Sequence, residues 1–185
     1  TSTMISQAQI LLPSKIDGSP REKKFLDSLQ STVTGFSTWL DSNAVGYNTN
    51  GTREVSEILG GQYFDFPKPL ALISSFIEQA APSNGIVLDF FAGSSTTAHA
   101  VMRLNAQDGG TRRFIMVQLP EACDEHSEAF QAGYKNISEI SKERIRRSGK
   151  QLLEGEYHAE WNKDIGFRVL KIDTSNMKEV YYTPD

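Results

Sequence analysis

The chain has 185 residues, enough for one domain, with 38% hydrophobic residues and a formal net charge of -4. The negative charge does not by itself indicate a nucleic-acid-binding surface, and the single cysteine, Cys123, excludes an internal disulfide and a cysteine-based zinc cluster. No apolar run approaches the ~20 residues of a membrane span, and residues 1–9 lack the features of a signal peptide. We therefore expect a cytoplasmic protein with no membrane partner.

Residues 1–50 are polar and rich in Ser, Thr, Asn and Gly, which predicts a poorly patterned extension or linker. Within it, Pro20 is expected to start a charged helix, and the composition from 43 to 52 is typical of turns. Regular patterning begins near residue 51, so residues 51–185 are predicted to form the folded domain.

Apolar spacing predicts alternating helices and strands in that domain. A first helix over 52–59 should stop at Gly60, and a second should begin at Pro69. A third helix should start at Thr96, and a fourth, capped by Asn136, should stop near Gly149. The apolar runs 86–90, 114–119 and 167–172 are predicted to be strands. Such alternation favours an α/β fold with one largely parallel sheet and right-handed crossovers.

One segment stands where the first predicted strand turns into a helix. It runs Asp89, Phe90, Phe91, Ala92, Gly93, Ser94, Ser95, Thr96, Thr97. Small residues there allow a ligand to approach the backbone, and the start of a helix offers unpaired N–H groups. An ordinary tight turn explains the spacing equally well, and neither of the familiar phosphate-loop patterns matches.

This segment is similar to the cofactor motif of DNA amino-methyltransferases, D-P-F-x-G-S-G-T-T. The sequence that follows, with 98–110, 112–121, 142–147 and 166–173, resembles the modification subunit of type III restriction-modification systems, over roughly residues 50–180. The resemblance implies a Rossmann-like methyltransferase sheet with S-adenosylmethionine as the cofactor and no metal. Asp89 to Thr97 would form the cofactor loop, and Lys68, between Pro67 and Pro69, would meet the methionine carboxylate. Without the resemblance, Lys68 is more simply a solvated lysine in a turn.

Two departures from the family pattern bear on cofactor binding. Ser95 replaces a glycine, which costs ~1–2 kcal/mol if the backbone there is left-handed, whereas serine suits the position if it is a helix N-cap. Gln118 stands where related enzymes often place an acidic residue for the cofactor ribose, and Glu121 is a substitute candidate.

The other polar residues favour structural explanations. Lys142, Arg144, Arg146, Arg147 and Lys150 could form a DNA-facing patch, but a solvated helix face with a Glu143–Arg147 pair is preferred. His99 lacks a partner at metal-ligand spacing and is expected to be structural.

The motif with which the resembled enzymes hold the target amine is absent. It contains Pro-Pro, and all seven prolines of this chain are isolated. We therefore expect the cofactor-binding, C-terminal part of a site-specific DNA adenine-N6 methyltransferase, with its sheet incomplete because the N-terminal half is absent, and no catalytic residue in this chain. Residues 1–50 would then be the end of a target-recognition region.

The implied partners are DNA, through the full-length protein, the upstream part of the same methyltransferase, a second copy and a restriction subunit. Two alternatives remain. One is a non-catalytic assembly module with a degraded cofactor loop. The other is a nucleotide-using enzyme of another class, which the missing phosphate-loop lysine disfavours.

Overall fold

A computed structural model describes residues 10–11, 17–19, 21–22, 37 and 39–172. The chain divides into two compact units, residues 1–39 and 40–185. In the first unit, strands β1 (Ile10–Leu11) and β2 (Arg21–Glu22) pair antiparallel. The helix predicted to start at Pro20 is wrong at Arg21 and Glu22, because these residues pair as strand β2. The rest of that predicted helix lies outside the described residues, and the role of residues 1–50 stays a prediction.

The second unit combines helices with a small parallel sheet. Its elements are α1 (Ser42–Val45), α2 (Asn48–Leu59), α3 (Leu70–Ala80), β3 (Ile86–Asp89), α4 (Thr96–Asp108), β4 (Arg113–Met116), α5 (Glu128–Gln131) and α6 (Ile137–Glu154). Strands β3 and β4 run parallel, with Ile86 opposite Arg113 and Asp89 opposite Met116, and α4 connects them. The expected strand–helix–strand unit is confirmed here. Among the described helices, none has the length and apolarity needed to cross a membrane.

The prediction of turns between 43 and 52 is wrong, because helices α1 and α2 occupy most of that stretch. The polar side chains there stabilise helix starts instead of turns. Asp41 accepts a hydrogen bond from the N–H of Asn43, and the Asn50 side chain accepts one from the N–H of Tyr47 at 2.7 Å. The predicted stop is confirmed: Gly60 ends α2 in the left-handed conformation, at φ 79°.

The third predicted strand is also wrong, since residues 167–172 form no strand. A strand needs a neighbour for its backbone hydrogen bonds, and no described residue pairs with this stretch. Phe167 instead packs beside Met102 and Ile145 and lies 5.7 Å beneath the guanidinium of Arg146, whereas Ile172 is exposed. The apolar residues of this segment therefore differ in burial, and none of them belongs to a sheet.

Helix α6 does not stop near Gly149 as predicted, but continues to Glu154. A Cβ on Gly149 would lie only 2.9 Å from Cβ of Ile165, so this glycine lets the following chain cross closely over the helix. The glycine serves close packing within the helix and not termination.

The two faces of the parallel sheet have different surroundings. Val87 and Phe114 pack against the core formed with α3 and α4. On the opposite face, Ile86, Leu88 and Ile115 are 53%, 48% and 50% exposed. Among the described residues, helices therefore cover the sheet on one side only.

Candidate functional site

The loop between β3 and α4 is anchored at its start by Asp89. One carboxylate oxygen accepts a hydrogen bond from the N–H of Phe91 at 3.0 Å, and the other accepts one from the hydroxyl of Thr97 at 2.6 Å. Asp89 therefore joins the end of the strand to the first turn of α4, and both of its oxygens already have partners within the protein. Phe90 and Phe91 themselves are exposed.

The chain after β4 holds the middle of the loop. The backbone N–H of Ala92 donates to the carbonyl of Val117 at 3.1 Å, and that of Gly93 donates to the side-chain oxygen of Gln118 at 2.7 Å. Gly93 has φ 52°, and a Cβ on it would lie 3.1 Å from the ring of Phe64. The loop is therefore shaped by contacts on two sides. The predicted role of Gln118 at a ribose stays a prediction, and its side-chain oxygen already has this structural partner.

Ser95 combines the two alternatives that the sequence left open. It stands at the N-cap position of α4, yet its φ of 60° and ψ of 41° are left-handed and its side chain makes no capping hydrogen bond. Its hydroxyl is buried and has no partner among the described residues. The serine is therefore strained and does not cap the helix.

Lys68 is brought next to the loop through its backbone. The hydroxyl of Thr96 donates to the carbonyl of Lys68 at 3.3 Å. Helix α2 also packs closely against the segment that contains Lys68, since a Cβ on Gly51 would lie 2.3 Å from the carbonyl oxygen of Pro67. The ammonium group of Lys68 is exposed and forms no ion pair within the described part of the chain.

Glu121 lies beyond the carboxyl end of β4 and is exposed. Its backbone is fixed, because its N–H donates to Leu119 and its carbonyl accepts from Ile137 at 3.0 Å. No described residue donates a hydrogen bond to its carboxylate. Glu121 and Lys68 therefore carry charges that have no partner among the described residues, whereas the side-chain oxygens of Asp89 and the side-chain oxygen of Gln118 accept hydrogen bonds within the protein.

A cleft of about 320 Å³ opens beside the loop. It is lined by Gln62, Tyr63, Phe64, Asp65, Ser127, Glu128 and Ala129. None of the predicted site residues lines it, although Phe64 packs over Gly93 and so joins the cleft to the loop. Within the described ranges, no group of three His, Cys, Asp or Glu side chains is placed to hold a metal ion.

Arg144 is fully buried, so the prediction of a solvated helix face is wrong for this residue, as is the alternative of a DNA-facing patch. One guanidinium nitrogen donates to the hydroxyls of Ser94 at 2.8 Å and Thr96 at 2.7 Å. The preferred Glu143–Arg147 pair is confirmed at 2.7 Å. Arg147 also donates to the carbonyl of Leu59 and so closes the end of α2.

Burial governs the charges behind the loop. It lowers the pKa of Arg144 to about 10, an effect that the Glu54 carboxylate opposes, so the guanidinium stays charged at neutral pH. Burial, with Arg144 and Arg103 nearby, lowers the pKa of His99 to about 3. His99 is therefore a neutral structural side chain in α4, and Arg144 supplies the positive charge at this place.

A periodic signal for Arg144 is present in the sequence. One face of the helix is formed by residues that each lie three or four positions from another member of the set, and all but the first are buried: Ile137, Ile140, Ser141, Arg144, Ile145 and Ser148. Arg144 lies in the middle of this stripe of apolar and small residues. Its position on the helix, and not its membership of a basic run, indicates burial.

The sequence as a whole matches a known family. A family model described as DNA methylase matches residues 9–150, well over half of the chain.

The chain belongs to the DNA methylase family.

Two modification subunits are among its relatives. The StyLTI Mod subunit of a type III restriction-modification enzyme from Salmonella typhimurium is 43% identical over 130 residues, which are 70% of this chain and 20% of that protein. The EcoPI Mod subunit from Escherichia phage P1 is 39% identical over 125 residues, 67% of this chain and 19% of that protein. The resemblance to type III modification subunits is therefore confirmed.

A type II enzyme is also similar. The methyltransferase M.KpnI of Klebsiella pneumoniae is 39% identical over 107 residues, 58% of this chain and 25% of that protein. This DNA methylase chain thus spans about a fifth to a quarter of the length of these relatives.

Proposed function

We propose that this chain is the S-adenosylmethionine-binding part of a site-specific DNA adenine-N6 methyltransferase of a type III restriction-modification system. The observation that supports this most strongly is the loop 89–97, fixed at the carboxyl ends of two parallel strands, in a chain of the DNA methylase family. Ligands of open α/β sheets bind at that end.

The residues present suit the cofactor. S-adenosylmethionine carries a positively charged methionine moiety with a carboxylate, and it supplies the methyl group when bound. In this proposal the exposed ammonium of Lys68 meets the carboxylate, and the exposed carboxylate of Glu121 accepts hydrogen bonds from ribose hydroxyls. Because Ser95 makes no capping bond, its side chain leaves the first amides of α4 available to the methionine moiety.

The proposal includes a larger methyltransferase sheet. The half-exposed Ile86, Leu88 and Ile115 support it, since three apolar side chains on one sheet face are usually covered by another layer. In the proposed full-length protein, the upstream part covers this face, holds the flipped adenine and contacts DNA. A restriction subunit is a proposed partner, since the relatives are named as Mod subunits of restriction-modification enzymes. A second copy of the chain is also a proposed partner.

Calorimetric titration of the 185-residue chain with S-adenosylmethionine tests the cofactor assignment. We expect saturable binding at one site, displaced by S-adenosylhomocysteine. Absence of binding by the folded chain would favour the alternative of an assembly module with a degraded loop.

Transfer of labelled methyl groups to DNA tests whether this chain can catalyse methylation without the upstream part of the protein. The chain contains no Pro-Pro motif to align a target amine, and positioning supplies much of the rate of such a reaction. We expect no labelled DNA from this chain alone, and labelled adenine from the protein that includes the upstream part. Sequence-specific methylation by the chain alone would overturn this assignment.

A further inference from the structure

The buried side of helix α6 contacts the back of the 89–97 loop at two successive turns. Ser141 donates its hydroxyl hydrogen to the carbonyl of Gly93. One turn later, Arg144 reaches the hydroxyls of Ser94 and Thr96. The two helix residues thus contact three loop residues that are about 48 to 50 positions away in the chain.

The Arg144 contact extends to the segment that contains Lys68. Thr96 accepts a hydrogen bond from Arg144 and donates one to the carbonyl of Lys68. Two groups proposed to meet the same cofactor, the loop and Lys68, are therefore connected through one buried guanidinium and one hydroxyl.

The burial of the charged Arg144 side chain behind the loop requires a physical explanation. Removing a guanidinium from water is costly, and the two remaining nitrogen groups of Arg144 have no hydrogen-bond partner among the described residues. A packed apolar side chain would avoid that cost. The retained hydrogen bonds fix the direction of the loop and of the Lys68 segment, which an apolar contact cannot do.

We propose that Arg144, assisted by Ser141, is a positioning residue that holds the 89–97 loop and Lys68 in the geometry for S-adenosylmethionine binding. Arg144 does not touch the cofactor, because it is fully buried behind the loop. The inference rests on the proposed function for its effect on the cofactor, but the hold on the loop can be measured separately.

Cofactor affinity is measured by calorimetry for the 185-residue chain and four single variants. Arg144→Met and Thr96→Val remove the two partners of one hydrogen bond, and Thr96→Ser keeps the hydroxyl. Arg146→Met is the matched control, since Arg146 is an exposed arginine on the same helix. We expect at least tenfold weaker binding for Arg144→Met and Thr96→Val, and affinity within twofold of the parent for Thr96→Ser and Arg146→Met.

Two controls separate positioning from loss of folding and from a direct contact of Thr96. Unfolding lowers the apparent affinity only in proportion to the folded fraction, so a tenfold loss in a variant that is more than about nine-tenths folded is not a stability effect. In the Arg144→Met background, Thr96→Val should cause no further tenfold loss, because both changes break the connection that runs from Arg144 through the Thr96 hydroxyl to the Lys68 segment. Affinity within twofold of the parent in folded Thr96→Val, or two independent tenfold losses, would overturn the proposal.

Hydrogen exchange tests the hold on the loop without any cofactor. The N–H of Gly93 donates to the side-chain oxygen of Gln118, and the N–H of Ser95 donates to the carbonyl of Ala92 inside the loop. They should exchange at least tenfold faster in Arg144→Met and Thr96→Val than in Thr96→Ser and Arg146→Met. If the parent chain binds no cofactor, the proposed function fails, while faster exchange still supports the hold on the loop; unchanged exchange in folded variants refutes it.

Discussion

The residues near the loop fall into two regions that differ in how their polar atoms are used. In the loop itself, Asp89, Ser94 and Thr96 all have hydrogen-bond partners within the protein, and Gln118, in the chain after β4, accepts a hydrogen bond from the loop. On its flanks, the charged groups of Lys68 and Glu121 are exposed and have no partner among the described residues.

This difference distinguishes residues that fix the shape of the loop from residues that are available to bind a ligand. A side chain whose oxygens are already bonded inside the protein contributes mainly to the shape of the backbone, because a ligand must compete with existing partners. An exposed charge without a partner has its interaction still available. We therefore expect changes in the loop to alter stability and affinity together, and changes at the flanks to alter affinity alone.

The largest effect is expected from Asp89→Ala. It removes two hydrogen bonds to an ionised group, each worth about 1.5–3 kcal/mol, so the free energy of unfolding should fall by about 3 kcal/mol. Urea denaturation measures this change, and calorimetry should show that cofactor binding weakens with it.

The matched variant for this position is Asp89→Asn. It keeps one oxygen that can accept the N–H of Phe91 and should recover at least half of the lost stability. If Asp89→Ala left stability unchanged but weakened binding, Asp89 would belong with the flanking residues.

An intermediate effect is expected from Lys68→Met. The exposed ammonium contributes little to folding, so the free energy of unfolding should change by less than about 0.5 kcal/mol. Loss of its pairing with the carboxylate should weaken S-adenosylmethionine binding about tenfold, or about 1.4 kcal/mol, as measured by calorimetry.

Salt and a second lysine provide the controls for that variant. The effect of Lys68→Met should shrink as ionic strength rises, because exposed charges are screened. Lys150→Met removes an exposed lysine of α6 and should leave affinity unchanged. A stability loss in Lys68→Met without an affinity loss would assign Lys68 to the structural region.

The smallest effect is expected from Ser95→Gly, and it should be a gain. Glycine adopts the left-handed backbone of this position without the side-chain penalty, and the change also removes a buried hydroxyl that has no partner. The free energy of unfolding should rise by about 1 kcal/mol, measured by urea denaturation.

Ser94→Gly is the matched control in the same loop. Ser94 accepts a hydrogen bond from Arg144, so the same substitution there should destabilise the protein. Equal effects at the two serines would contradict the assignment of strain to Ser95.

The accuracy of the sequence predictions depended on how local their physical cause is. The stop of α2 at Gly60 and the cap of α6 at Asn136 follow from neighbouring residues, and both are observed. The prediction of a helix stop at Gly149 is wrong, because the glycine is needed for the close approach of Ile165, sixteen positions away. The predicted strand at 167–172 failed for the same kind of reason, since strand formation depends on a neighbour that the pattern of one segment does not contain.

By itself the sequence determined the strand–loop–helix segment around Asp89 to Thr97, the family resemblance and the absence of a Pro-Pro motif. Only the tertiary structure decided that Gln118 bonds to Gly93, that Ser95 is left-handed at an N-cap, and that Arg144 lies buried behind the loop. The reason is distance along the chain. Backbone preferences and caps act over a few residues, whereas the partner of Gln118 lies 25 positions away and those of Arg144 lie 48 and 50 positions away.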